Sequence, residues 1–357
     1  MDKRNELRYN TCEIRKTADG MKVRVFGESH APEIGVEIEG IPQGTVFDVN
    51  ALQAFLDRRA PGNGQGGLST PRKEPDRVEF ESGVVDSRAS RGNGQETASI
   101  MKVATGETIR AVIRNTNTRP QDYANVPTVP RPGHADYAAW LKDGKIPTGG
   151  GRWSGRMTAP LCIAGGIALQ MLARRGVTIA SSVRRGGGDA AVPEGDSVGG
   201  VVEVVATGFP AGYGDVGTDG LESKLAAAFF GIPAVKGVEF GDGFRLADMF
   251  GSQANDAFVV TPSDSRLTPS VSRPQIWLRS NRCGGILGGV SVGTPVVARL
   301  AFNPTPSISL EQDSVDLKTL TPARITVKGR HDRCVAFRGA VAAEAAMAIV
   351  LATELFG

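Results

Sequence analysis

Residues 158–176, TAPLCIAGGIALQMLARRG, constrain the fold of this chain more than any other stretch. Thr158 and Pro160 stand at the start of a helical pattern and Gly176 just past its end. The run has too few polar residues to present a solvated face, so it reads as a buried helix. A second apolar helix, RGAVAAEAAMAIVLATELF, lies at the C-terminal end. Between and before them, MKVRVF, VEIEGI, DRVEFESGVV, ETIRAVIRN and VVEVVATG read as strands, and VSVGTPVVARLAF as a strand pair. DVNALQAFLDRR, with Asp48 as N-cap, and ESKLAAAFFG read as helices. The order lacks the steady strand-helix-strand rhythm of a doubly wound sheet. No stretch reads as a linker and no repeat is visible, so residues 1–357 are expected to form one interleaved domain.

Glycine makes up 46 of 357 residues, nearly twice the usual ~7%, without the low complexity of a linker. Much of it sits beside arginine or lysine, in DRRAPGNGQGG, STPRKEPD, NTNTRPQD, PRPGHAD, GGGRWSGR, SNRCGG and GRHDRCVAFR. Glycine lets a ligand reach the backbone, and guanidinium forks suit phosphate or carboxylate, so the pattern favours a small polyanion. The total charge of +3 is too balanced to indicate nucleic acid, and aromatic residues, at 6%, supply few stacking platforms. Cys12, Cys162, Cys283 and Cys334 are scattered singly, which fits reduced thiols better than a disulfide framework or a zinc site; no metal site is expected. The N-terminus is charged, and no window is expected to reach the ~18 apolar residues of a membrane span, which places the protein in the cytoplasm.

Three motif matches are set aside. GNGQGG at 62–67 follows a helical pattern and leads into proline-bearing LSTPRKEPD, the wrong context for a dinucleotide turn. GYGDVG at 212–217 lies between a strand and a helix, but FPA and TDGL interrupt the direct junction that seats a pyrophosphate on a helix N-terminus. GESHA resembles a nucleophile elbow at Ser29, yet proline and a strand follow where a helix is required.

Read together, FGESH, LDRRAPG, TPRKEPDRVEFESGV, IRNTNTRPQDY, RPGHADY, GGGRWSGRMTAPLCIAGGIA, AVKGVEFGDGF, NRCGGILGGVSVG, NPTPSI and GRHDRCVAFR resemble the chorismate synthase family, in the family's order and over nearly the full length. The resemblance implies an α+β fold, a single-domain β-α-β sandwich with helices packed between two antiparallel sheets, and a homotetramer. It also implies conversion of 5-enolpyruvylshikimate 3-phosphate to chorismate by a 1,4-anti elimination that requires reduced FMN. The chain departs from the commonest family pattern at Ala31, Ala60, the Gly155–Met157 stretch, Asn303 and Arg333.

Carried over by motif, His30 stands by the leaving phosphate, and His134 is the histidine that protonates the reduced flavin. Asp332 with Ser29 and Ser154 forms a proton relay, with His331 orienting Asp332. Histidine suits such work because its unperturbed pKa lies near ~6.5. Arg58, Arg156 and Arg338 are expected to clamp the substrate anions. Arg152, Ser154, Asn281, Gly284, Gly285, Asn303, Thr305, Ser307 and Arg330 are expected at the FMN. With two poor dinucleotide motifs, the chain is expected to rely on an external flavin reductant and not on its own use of NADPH. Two rival readings are a homologue that binds flavin without turnover and a nucleic-acid-binding protein; phosphate release and salt-dependent DNA retention separate them.

Overall fold

The structure, a computed structural model, describes residues 20–60, 68, 70, 75–87, 100–116, 128–188, 190–261, 275–327 and 331–357. Two four-stranded antiparallel sheets form the outer layers. The first contains β1 (Lys22–Gly27), β2 (Glu33–Glu39), β3 (Glu79–Ser82) and β4 (Ile109–Arg114), in the order β1-β2-β4-β3. The second contains β5 (Thr178–Arg185), β6 (Gly200–Thr207), β7 (Val235–Phe240) and β8 (Val296–Phe302), in the order β7-β8-β6-β5.

Alternation decides which face of each sheet turns inward. In β2, Ile34, Val36 and Ile38 are fully buried, while Glu33 and Glu37 join Arg24, Arg110 and Arg114 in an ion-pair lattice on the outer face. In β6, Val202, Val204 and Ala206 are the buried set.

The layer between the sheets is helical: α1 (Val49–Arg59), α3 (Thr158–Ala173), α4 (Leu221–Phe230) and α5 (Ala336–Phe356), while the short α2 (Asp136–Asp143) lies apart from it. Helix α3 packs on β1, β2 and β4 and on α5, and α5 packs on β5 and β6. The sandwich thus has the expected layers, because α3 and α5, apolar on nearly every side, are covered by a sheet and by each other. Their axes approach closely at Gly165, where an added Cβ would overlap Ala345. One hydrophobic cluster runs through all three layers, from Met21 to Phe356.

Several local expectations hold. Asp48 caps α1, accepting from Asn50 N at 2.7 Å and Ala51 N at 3.3 Å. DRVEFESGVV, however, is two strands: Gly83, at φ +78°, breaks it, and Val84–Asp86 joins a separate ribbon with Met101–Ala104 and Val46–Asp48. Strands β5 and β7 were not read from the sequence. The expectation about membrane-length windows is corrected: Gly155–Ala173 and Ala336–Phe356 are long and apolar enough to cross a membrane, but 78% of each such window is buried inside the protein.

The set-aside motifs divide. Ser29 leads into β2 and no helix, so no nucleophile elbow forms. At 212–217 the N-terminus of α4 is already occupied, with Leu221 N donating to Gly289 O at 2.8 Å and Gly214 bridged to Val290. GNGQGG lies outside the described residues.

Candidate active site

A cavity of about 680 Å³ opens where the N-terminal ends of α3 and α5 meet the C-terminal end of α1, the start of β7 and the end of β8. Both helix N-termini present the positive end of their dipoles to it. Arg59, Arg131, Arg152, Arg156, Lys236 and Arg338 line the cavity, with His134, His331 and Asp332 among them.

Of the pair Arg58 and Arg59, the structure brings Arg59 to the cavity and not Arg58, on which the expectation was placed. Successive residues on a helix point about 100° apart, so the two cannot share a face. Arg58 turns away and donates two hydrogen bonds, of 2.8 and 2.7 Å, to the buried Glu344, which also accepts from Ser181 at 2.5 Å. Arg59 is wholly buried against the cavity; its Nη2 bonds Asp76 Oδ2 at 2.8 Å, and its Nε has no hydrogen-bond partner among the described residues. Burial and the nearby Arg338 pull the Arg59 guanidinium down to about 10 while Asp76 opposes them, so it is a cation at neutral pH. Arg156 bonds Asp76 through Nη1 and Asn115 Oδ1 through Nε and Nη2, each of the latter at 3.2 Å. Arg338 donates to Asp332 Oδ2 at 2.8 Å and to Arg59 O at 3.0 Å. Behind this cluster, burial pushes the Cys162 thiol up to about 12, so it is no nucleophile.

His134 is held from one side. Its Nδ1 lies 2.6 Å from Asp136 Oδ1, and Arg131 grips the same carboxylate through Nε and Nη2, each at 2.7 Å. Burial pushes the Asp136 carboxyl up, but its bonds to Arg131 and His134 outweigh this and hold it well below the usual carboxylate range. An ionised carboxylate only accepts, which assigns the proton to Nδ1 and leaves Nε2 for the cavity.

His30 is held by the preceding serine. Ser29, 3% exposed, donates to Gly149 O at 3.2 Å and lies 3.1 Å from His30 Nδ1, so the Oγ accepts from the ring. Neither residue lines the cavity directly. Both pack against the turn Gly149–Gly150–Gly151, whose three residues all have positive φ. A Cβ on Gly149 would overlap the His30 ring, and one on Gly150 would lie 3.0 Å from His134 Cε1, so bare glycine backbone separates the two imidazoles.

Of the other expected residues, Arg152, Ser154, Asn303, Thr305, Ser307, Asp332, Arg156 and Arg338 line the cavity. Ser154 caps the following turn by accepting from Arg156 N at 3.3 Å; among the described residues no bond joins Ser29, Ser154 and Asp332 into a chain. Asp332 accepts from Thr70 N at 3.0 Å as well as from Arg338. Asn281, Gly284 and Gly285 are not brought to the cavity. Asn281 donates to Pro295 O and accepts from Thr294, each at 2.8 Å, and the two glycines press on the backbones of Gly241 and Pro295. Arg330 lies outside the described residues. Sequence reasoning missed Arg59, Asp76, Asn115, Arg131 and Asp136; the last two flank His134 within RPGHAD, and that adjacency was the available signal.

A basic cavity with one oriented histidine in its wall and a second behind its glycine turn is suited to binding a small anion and moving protons. Known proteins narrow this. A profile of the family Chorismate synthase matches residues 21–192 and 189–356. A chorismate synthase of Lancefieldella parvula is 38% identical over 387 residues, covering 94% of each chain, and one of Korarchaeum cryptofilum is 38% identical over 367 residues, covering 92% of this chain and 94% of its own. A crystal structure of chorismate synthase superposes with a TM-score of 0.65 at 23% identity, covering 94% of this chain and 91% of the other, which shows the same fold. The chain belongs to the chorismate synthase family, and it is an enzyme of the lyase class.

Proposed function

We propose that the enzyme forms chorismate by a reduced-FMN-dependent 1,4-anti elimination of phosphate from 5-enolpyruvylshikimate 3-phosphate. The observation that carries this reading is the gathering of cations on one cavity: Arg59, Arg131, Arg152, Arg156, Arg338 and Lys236 line it, and Arg59 and Arg156, 0% and 7% exposed, both bond the carboxylate of Asp76 behind its wall. Guanidinium forks suit phosphate and carboxylate, so a phosphorylated, carboxylated substrate matches a wall of this composition.

The cavity residues fit FMN. Asn303 Oδ1 and Thr305 Oγ1 are buried without a hydrogen-bond partner among the described residues, beside Ser307, Ser154 and the Arg152 guanidinium, which lies 4.2 Å from the centre of the Trp153 ring. Those five residues would hold it. Reduced flavin supplies electron density to the substrate and takes up its hydrogen, with no net redox change.

The chain's own groups do the rest. Arg59, Arg156 and Arg338 bind and orient the substrate anions. His30, whose Nδ1–H is engaged by Ser29, stands behind the glycine turn that lines the cavity and would donate from Nε2 to the departing phosphate as the imidazolium; His134, whose Nδ1–H is engaged by Asp136, would likewise carry its transferable proton at Nε2 as the imidazolium. Asp332 keeps lone pairs beyond its bonds to Arg338 and Thr70, and these support it as the final proton acceptor, with Ser154 in the wall of the same cavity.

Residues 1–357 are read as one domain, working in the cytoplasm as a homotetramer with an external flavin reductant. The test is an anaerobic assay of phosphate release with chemically reduced FMN. Chorismate should accumulate far beyond the reductant added, and one mole of reductant spent per chorismate would overturn the mechanism.

A further inference from the structure

We propose that Asp76 is a positioning residue for the elimination, whose one carboxylate sets the spacing and direction of the Arg59 and Arg156 guanidiniums. This rests on the reading of the cavity as a substrate-anion site.

Asp76 is 0% exposed and lies outside the regular elements, in the segment before β3. Its backbone is tied to α1, where Gln53 Nε2 donates to Asp76 O at 3.0 Å while Gln53 Oε1 accepts from Val78 N at 3.3 Å. The carboxylate therefore projects from a fixed point. Oδ2 takes Arg59, from the end of α1, and Oδ1 takes Arg156, from the turn before α3. Arg156 Nε and Nη2 are held by Asn115, whose Nδ2 donates to Ala31 O at 2.8 Å. One connected path thus runs from the arginine pair through Asn115 to the loop carrying Ser29 and His30.

The alternative is that Asp76 only neutralises buried charge. Burying three charged groups is a poor route to stability, since a well-packed apolar set of the same volume is commonly as stable or more so. Both partners of Asp76 line the cavity, and two like charges brought onto one carboxylate would otherwise separate. Although burial alone would raise it, the carboxyl of Asp76 is held below its ordinary value by Arg59 and Arg156.

The experiment compares Asp76→Asn with Glu344→Gln, which removes a buried carboxylate bonded to Arg58 outside the cavity. Both variants should unfold at lower temperature than the parent. Only Asp76→Asn should lower kcat for phosphate release, by about 10- to 100-fold, the scale of a lost charged hydrogen bond. In its crystal structure the Arg59 and Arg156 guanidiniums should lie further apart than in the parent. If Asp76→Asn does not fold, Asp76→Glu, which keeps the charge but moves it by one methylene, should fold and show the same selective loss of kcat. Parental kcat in either folded variant, or guanidiniums unmoved in Asp76→Asn, would overturn the proposal. A parent that releases no phosphate would instead sink the proposed reaction, and the guanidinium positions would still decide the role of Asp76.

Discussion

Replacing Gly149 by alanine tests whether the glycine turn sets the placement of His30. The backbone there has φ +62°, and an L side chain in that region costs roughly 1–2 kcal/mol. The steric effect is larger in consequence. The new Cβ would overlap the imidazole at Cε1, whereas carbon atoms settle about 3.5–4 Å apart, so the ring must retreat by more than about 1 Å. A displacement of that size at a reacting group costs on the order of 100-fold in rate. Gly144→Ala supplies the control: Gly144 has φ +70° and nothing within 4 Å of its added Cβ, so it carries the backbone strain without touching a histidine. Single-turnover phosphate release and melting temperature would be measured on both. The expected result is a similar fall in melting temperature for the two variants and a loss of turnover confined to Gly149→Ala. A folded Gly149→Ala protein that eliminates phosphate at the parental rate would refute the reasoning.

The neighbouring arginines should separate cleanly. Arg59→Met should leave stability little changed, because Asp76 keeps Arg156, yet cut kcat/KM about 10- to 100-fold, while Arg58→Met should destabilise by about 1–3 kcal/mol through the stranded Glu344 and spare turnover; equal kinetic losses in both would return Arg58 to the site. His30→Ala should lower single-turnover phosphate release ~100-fold or more with FMN affinity nearly unchanged, and a variant that only melts earlier would reduce His30 to a packing residue. Asp136 has a depressed carboxyl in the folded state, so its contribution to stability is present above the ordinary value of 3.8 and is lost as pH falls below it. Asp136→Asn should therefore be less stable than the parent in urea at neutral pH, with the gap closing in acid; a gap independent of pH would show that the charge of Asp136 is not what matters.

Much of the architecture was legible because it rests on local pattern. A run as apolar as 158–176 must be removed from water, Asp48 and Gly176 punctuate helices through their own backbone chemistry, and VVEVVATG alternates with the period of a strand. Strand β5 escaped because TIASSVRR mixes small, polar and basic residues, and β7 because VKGVEF carries a charge on either side of a glycine. In RPGHAD the sequence also placed a base, its carboxylate and an arginine within six residues, close enough for His134 and its support to be sought together.

The rest required distance in the chain to become nearness in space. Nothing in LDRR says which arginine faces inward, since that depends on where α3, α5 and Asp76 lie around the end of α1. Asn281, Gly284 and Gly285 sit in a motif that resembles a flavin contact, yet the turn that motif forms packs on Gly241 and Pro295, away from the cavity. By itself the sequence determined the elements, the buried helical layer and the types of residue available for acid–base and anion chemistry, because propensity, periodicity and side-chain pKa are properties of short stretches. Only the tertiary structure decided that Arg59, Asp76, Arg156 and Arg338 converge and that bare glycine backbone separates His30 from His134, because convergence comes from how the sheets and helices pack, and no local signal encodes it.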